Sequence, residues 1–129
     1  MTTPTASDSI VIDSSGWLEY ITADSKADNF AQYFRDQSRI VVPALVLCEV
    51  RRVLLQRYTT KLADNFVSDV LRLRIVPVDE RIALSAAVLG IDYQLSIADA
   101  IIYATCQREK AILVTSDNHF KELPGVTLL

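Results

Sequence analysis

Residues 10–17 read IVIDSSGW: three branched apolar side chains, an aspartate, two serines, a glycine and a tryptophan. A run with the composition of a buried strand ends on a carboxylate and turns at once into residues that open a helix. Asp and Ser beside a helix start accept hydrogen bonds from free backbone N–H groups and favour the positive end of the helix dipole. Capping accounts for Asp13 taken alone, so any further role has to come from the rest of the chain.

Outward from this stretch the same alternation recurs. The spacing predicts a strand over residues 9 to 13, then a short helix capped by Ser14 or Ser15 and carrying Trp17, Leu18 and Ile21. A second helix, capped by Asp24 or Ser25, has Ala27, Phe30, Ala31 and Phe34 at helical intervals. IVV at 40 to 42 predicts a strand, and Pro43 the first position of a helix to about Arg57. Thr59 and Thr60 open another helix, with Leu62, Phe66, Val70 and Leu73 as its apolar stripe. RIVPV at 74 to 78 predicts a third strand, followed by a helix from Asp79 that stops near Gly90. Ser96 caps a helix to about Glu109, AILVT at 111 to 115 is a strand, a short turn holds Phe120, and VTLL after Pro124-Gly125 is a last strand. Strands separated by helices imply parallel pairing and right-handed crossovers. The expectation is α/β class: one three-layer α/β/α domain over residues 1–129, with residues 1–8 a polar tail.

The chain has 129 residues, half of them hydrophobic, enough for one core. Its formal net charge of -3 excludes a protein that holds nucleic acid by an overall basic field, so an anionic substrate needs a local arrangement. Cys48 and Cys106 lie in apolar stretches without C-x-x-C spacing, which predicts reduced core thiols and not a disulfide or zinc site. No cationic-then-apolar leader and no apolar run of about 18 residues occurs, so the expected location is the cytoplasm, away from the membrane.

Four acids interrupt apolar surroundings. Asp13 and Asp117 each follow a predicted strand. Glu49 shares a helical face with Leu45, Val46 and Val53, and Asp99 shares one with Leu95, Ile102, Tyr103 and Cys106. Two strand ends and two inward helical faces can meet above one edge of a parallel sheet, where ligands bind in such folds. Singly, each acid reads as a cap or an ion-pair partner, of Arg52 for instance; Glu49 lies too far inside its helix to cap it. Together they repel: two carboxylates about 4 Å apart cost roughly 4 kcal/mol at an effective dielectric of 20. Hard divalent cations, Mg²⁺ or Mn²⁺, offset that charge, and the oxygen-only set has no histidine or cysteine to favour zinc. Such ions serve attack on phosphate esters. Arg51, Arg52, Arg57 and Lys61 are candidate RNA phosphate contacts, or else a solvated helical face.

In order and spacing, I-V-I-D-S-S, the glutamate of P-A-L-V-L-C-E-V, S-I-A-D-A-I-I-Y-A-T-C and L-V-T-S-D-N-H-F resemble the PIN-domain ribonucleases. Within that family they resemble the VapC-type toxins of toxin–antitoxin pairs, from the first strand to Phe120. The resemblance implies a parallel sheet of four to five strands in the order 3-2-1-4-5. It makes Asp13, Glu49, Asp99 and Asp117 the metal-binding and catalytic acids, with Ser15, Thr115 and also Ser14 as polar residues lining the site and Phe120 as a packing aromatic. It further implies Mg²⁺- or Mn²⁺-dependent cleavage of RNA by metal-activated water, a VapB-type antitoxin whose C-terminal segment covers the groove, and a homodimer. The sequence departs from the pattern at His119, where many relatives carry a further acid; a lone histidine on a short turn is expected to face solvent. Two rival readings are a phosphoacceptor signalling domain, with Asp79 after the third strand as acceptor, and a catalytically silent PIN-like module that only binds RNA or a partner.

Overall fold

In the computed structural model, which describes residues 9–129, strand and helix alternate as the patterning predicts. β1 (Ile10–Ile12) leads into α1 (Ser14–Ile21) and α2 (Ala27–Ala31), followed by two 3₁₀ turns, Gln32–Phe34 and Gln37–Arg39. β2 (Val41–Pro43) precedes α3 (Ala44–Arg57) and α4 (Thr60–Val70); β3 (Arg74–Val76) precedes α5 (Glu80–Tyr93) and α6 (Ile97–Glu109). β4 (Ile112–Thr115), a 3₁₀ turn at Asn118–Phe120 and β5 (Val126–Leu128) complete the chain. The polar tail expected over residues 1–8 lies outside the described residues. Among the described residues no single helix is long and apolar enough to cross a membrane.

Every strand pairing is parallel. The order 3-2-1-4-5 is present as two ladders, β3–β2 and β1–β4–β5, joined by a single parallel bridge between Ile10 and Ile40. Ile10 to Ile12 are all buried, and so are Leu113, Val114 and Thr115. Successive strand residues point to opposite faces, so the centre of the sheet is covered on both sides, as a three-layer α/β fold requires.

Several boundaries differ from the pattern, each for a local reason. Asp13, not Ser14 or Ser15, caps α1, because its carboxylate reaches the Ser14 amide. Pro43 closes β2 with φ -60 and ψ 135 and α3 starts one residue later, since the proline ring allows an extended ψ as readily as a helical one. Lys26 precedes α2 without a side-chain cap, while Asp24 accepts from the neighbouring Ser25 amide. Leu73 lies beyond α4, and α5 runs through Gly90 to Tyr93, with Gln94 taking the left-handed position. A Cβ at Gly90 would stand 3.4 Å from the Ala100 Cβ of α6, an ordinary contact, so the helix passes through this position without needing a stop there. Cys106 is buried as expected, but Cys48 is exposed, two residues past Val46 and so turned away from the inward Val46, Val50 and Leu54.

The first turn of α1 sits hard against β1 and α2. A Cβ on Gly16 would lie 2.6 Å from Ile12 Cγ2 and 2.6 Å from Phe30 Cε1, both in fully buried side chains. Trp17, one residue on, packs edge-on against Phe34 and Phe66 with ring centroids 4.8 and 5.4 Å away. Glycine at 16 thus lets the helix start close enough to the strand for Asp13 to serve both. Gly16→Ala is expected to lower stability by about 1–3 kcal/mol through overpacking, read as a lower urea midpoint with an unchanged m-value.

Candidate metal centre

β1 and β4 are neighbours, and their chains leave in opposite directions across the sheet, β1 toward β2 and β4 toward β5. The crevice beyond their carboxyl ends is the switch point of the fold. Asp13 follows β1 and Asp117 follows β4 by two residues. Asp99 reaches the same edge from the first turn of α6, which Ser96 caps by accepting from the Asp99 amide at 3.2 Å. Glu49, from the middle of α3, is tied to the edge by Ser14, whose hydroxyl donates to its carboxylate at 2.5 Å.

The capping reading of Asp13 is correct and incomplete. One carboxylate oxygen accepts from the Ser14 amide at 2.8 Å; the other accepts from the Thr115 hydroxyl at 2.8 Å and, more weakly, from Ser15 at 3.5 Å. Thr115 also accepts from the Asp117 amide at 3.0 Å, so one buried hydroxyl orients two acids on adjacent strands. Thr115 is fully buried, bonded to the Asp13 carboxylate and the Asp117 amide. Asp117 repeats the dual use, capping the 3₁₀ turn through the His119 amide at 2.9 Å.

Exposure rises outward through the cluster: Asp13 is 5% exposed as a residue, while the side chains of Asp99, Asp117 and His119 are 18%, 32% and 76% exposed. Burial pushes the Asp13 carboxyl up to about 6, with the charges of Asp99 and Glu49 adding to the rise and hydrogen bonds from Thr115 and Ser14 opposing it. Asp99 is also raised, by burial first and then by Asp117, with His119 and Ser96 pulling the other way. These mutual effects tie Asp13 to Glu49 and to Asp99, and Asp99 to Asp117, in one electrostatic unit.

His119 stands against the outer two acids. Its Nδ1 lies 3.2 Å from Asp117 Oδ1 and 3.6 Å from Asp99 Oδ2, and these three residues each offer a ligand atom within 4.8 Å of the others. The ring is exposed, as expected of a histidine on a short turn, yet it faces two acids. The signal available was its place two residues after Asp117, which a tight turn folds back onto the same side.

The basic candidates are dispersed. Arg51 bridges α3 to α4, 3.3 Å from Asp64 and 3.4 Å from the Ala63 carbonyl. Arg57 shares a concave patch with Ser15, Glu19 and Asp24, whereas Arg52 flanks Cys48 and Leu55 on the outer face of α3. Lys61 is exposed at the start of α4. Asp79, the acceptor required by the phosphoacceptor reading, lies beyond β3, caps α5 through the Ile82 amide and is ion-paired with Arg108; that amide first and then Arg108 hold its carboxyl below the usual range.

The family model described as PIN domain matches residues 10–126. No curated protein sequence matches at a significant level. Among solved structures, similar folds include a toxin–antitoxin complex from Klebsiella pneumoniae, with TM-score 0.80 and 21% identity over 92% of this chain and 96% of that one. A VapC toxin of Mycobacterium tuberculosis, described as cleaving the sarcin–ricin loop, gives 0.77 and 17% over 92% and 97%. A DNA-bound VapBC from Salmonella typhimurium gives 0.73 and 16% over 94% and 96%. At these identities the likeness is one of fold.

Burial of Asp13 sets a pH dependence for the metal-free protein. Its folded pKa lies above the unfolded one, so the stability it allows is complete below about pH 4 and is lost as pH rises through 6. Asp13→Asn removes that loss. In chelator at pH 8 the variant is expected to exceed wild type by up to about 3 kcal/mol, an advantage that shrinks below pH 6 and vanishes near pH 4 in urea unfolding.

Proposed function

The chain belongs to the PIN-domain family, and on that premise we propose that it is a divalent-metal-dependent endoribonuclease, the toxin of a VapBC-type pair. The carrying observation is the electrostatic coupling of four acids at one switch point, with a carboxyl at its base raised by burial and by its neighbours' charge. A catalytically silent module has no use for that arrangement, which holds like charges together at a cost in stability.

The donor chemistry fits Mg²⁺ or Mn²⁺: carboxylate oxygens in graded exposure, open on one side. Asp13, Glu49, Asp99 and Asp117 are the residues that hold the ions. Bound cations supply Lewis-acid polarisation of the scissile phosphate and of the attacking water. The chain supplies position. Ser14 fixes Glu49, Thr115 fixes Asp13 and the Asp117 backbone, and with these hydroxyls engaged in holding acids, direct attack by water fits the arrangement. Arg57, beside Ser15, is the basic residue best placed to meet an RNA phosphate; Arg51 is engaged with Asp64.

Two surfaces suit the proposed partners. A cleft of about 510 Å³ between α1, the Gln32–Phe34 turn and α4 is lined by Trp17, Tyr20, Ile21, Phe34, Leu62 and Phe66. Its aromatic and aliphatic walls suit an apolar segment of the antitoxin. On the opposite pair of helices, Leu84, Val88 and Ile91 form one exposed stripe of α5, with Ile97 beside it at the start of α6. A self-complementary apolar face of this kind suits a homodimer.

Two outcomes test the reading. With Mn²⁺ or Mg²⁺ the wild type is expected to cut an RNA pool and Asp99→Asn to cut it at least about a hundredfold more slowly, with a thermal transition in chelator at or above that of wild type; cleavage at the wild-type rate overturns the assignment. Leu62→Glu, which puts a charge at the wall of that cleft, is expected to weaken binding of a co-expressed antitoxin by about tenfold in calorimetry while RNA cleavage by the free toxin is unchanged.

A further inference from the structure

We propose that His119 is a nitrogen ligand at the outer, solvent-facing part of the acidic cluster, and that it gives the centre a preference for Mn²⁺ over Mg²⁺. This rests on the reading of Asp99 and Asp117 as metal ligands and extends it to a residue of different chemistry.

The geometry has three parts. The imidazole Nδ1 stands within 3.6 Å of both an Asp99 and an Asp117 oxygen, so two acids and a ring nitrogen already converge on one small volume. The turn that carries the ring is fixed: the His119 amide donates to Asp117, the Phe120 amide to the Asp117 carbonyl at 3.1 Å, and Phe120 is fully buried. The ring itself is open to solvent, and its Nδ1 faces those two acids.

Ligand softness then decides the ion. Mg²⁺ demands oxygen and keeps much of its water, whereas an imidazole nitrogen is a good donor to first-row transition dications. Exchanging a third oxygen donor for a ring nitrogen leaves Mg²⁺ binding weak and raises that of Mn²⁺. The inner acids Asp13 and Glu49 remain oxygen-only. The two ends of the cluster therefore differ in the metal they favour, the outer end being the more selective.

The alternative for the same contacts is an internal counter-charge: a cationic His119 neutralising Asp99 and Asp117 and competing with metal. The two differ in what a bound ion sees. The full chain, stripped by chelator and loaded with Mn²⁺, is read by pulsed electron paramagnetic resonance. Directly bound nitrogen modulation is expected in wild type and lost in both His119→Asp and His119→Asn. Mg²⁺ is expected to displace Mn²⁺ at about tenfold lower concentration from His119→Asp than from wild type. Mn²⁺ bound by wild type without nitrogen coupling, or bound more tightly by His119→Asn, overturns the proposal and leaves the four-acid reading intact. Failure of wild type and both variants to bind Mn²⁺ at all brings down that reading and this one together.

Discussion

The hydrogen bond from Thr115 to Asp13 spans 102 residues of sequence and joins the ends of the two central strands. Around it the crevice is organised: the same hydroxyl accepts from the Asp117 amide, and the other oxygen of Asp13 starts α1. An ionised carboxylate in a nearly water-free position is tolerable only when hydrogen bonds or cations stand in for the lost solvent. Ser14, Thr115 and Ser15 supply hydrogen bonds to it, and burial still drives the carboxyl up to about 6. The remaining cost is relieved by whatever neutralises the carboxylate, a proton at low pH or a neighbouring positive charge above it, so the tension at Asp13 is built into the sheet itself.

The placement of acids follows from backbone geometry more than from any single motif. A parallel strand delivers its last residue to the edge where its neighbour also ends, so Asp13 and Asp117 converge because β1 and β4 pair in register, Ile12 opposite Val114. Glu49 comes from a helix interior and needs a tether, which Ser14 provides from the first position of α1. Strand end, helix cap and acid anchor are thus compressed into Asp13, Ser14 and Ser15, and Gly16 has no side chain because there is no room for one.

Much of this was legible in the sequence because the signals were local. Branched apolar runs gave the strands, and Thr59, Asp79 and Ser96 stood where they cap α4, α5 and α6. The α/β class and the meeting of strand ends followed from alternation alone. What stayed hidden depended on tertiary partners. Gly90 resembled a helix stop, but α5 runs on to Tyr93 and ends with Gln94 in the left-handed position; Cys48 sat in an apolar run yet on its outward side. The engagement of Arg51 with Asp64 required knowing how α3 and α4 pack. His119 was visible as a departure, but its approach to Asp99, twenty residues earlier on another element, was not readable from spacing.

The seam in the sheet has a mechanical consequence. β2 and β3 form one ladder and β1, β4 and β5 another, with only the Ile10–Ile40 bridge between them. Glu49 rides on the helix that grows out of β2, whereas Asp13 and Asp117 are fixed to the other ladder. The crevice therefore straddles a line of sparse backbone pairing, and the Ser14–Glu49 hydrogen bond acts as a clasp across it: without that hydroxyl Glu49 keeps its helix but loses its tie to the carboxylates of the other ladder.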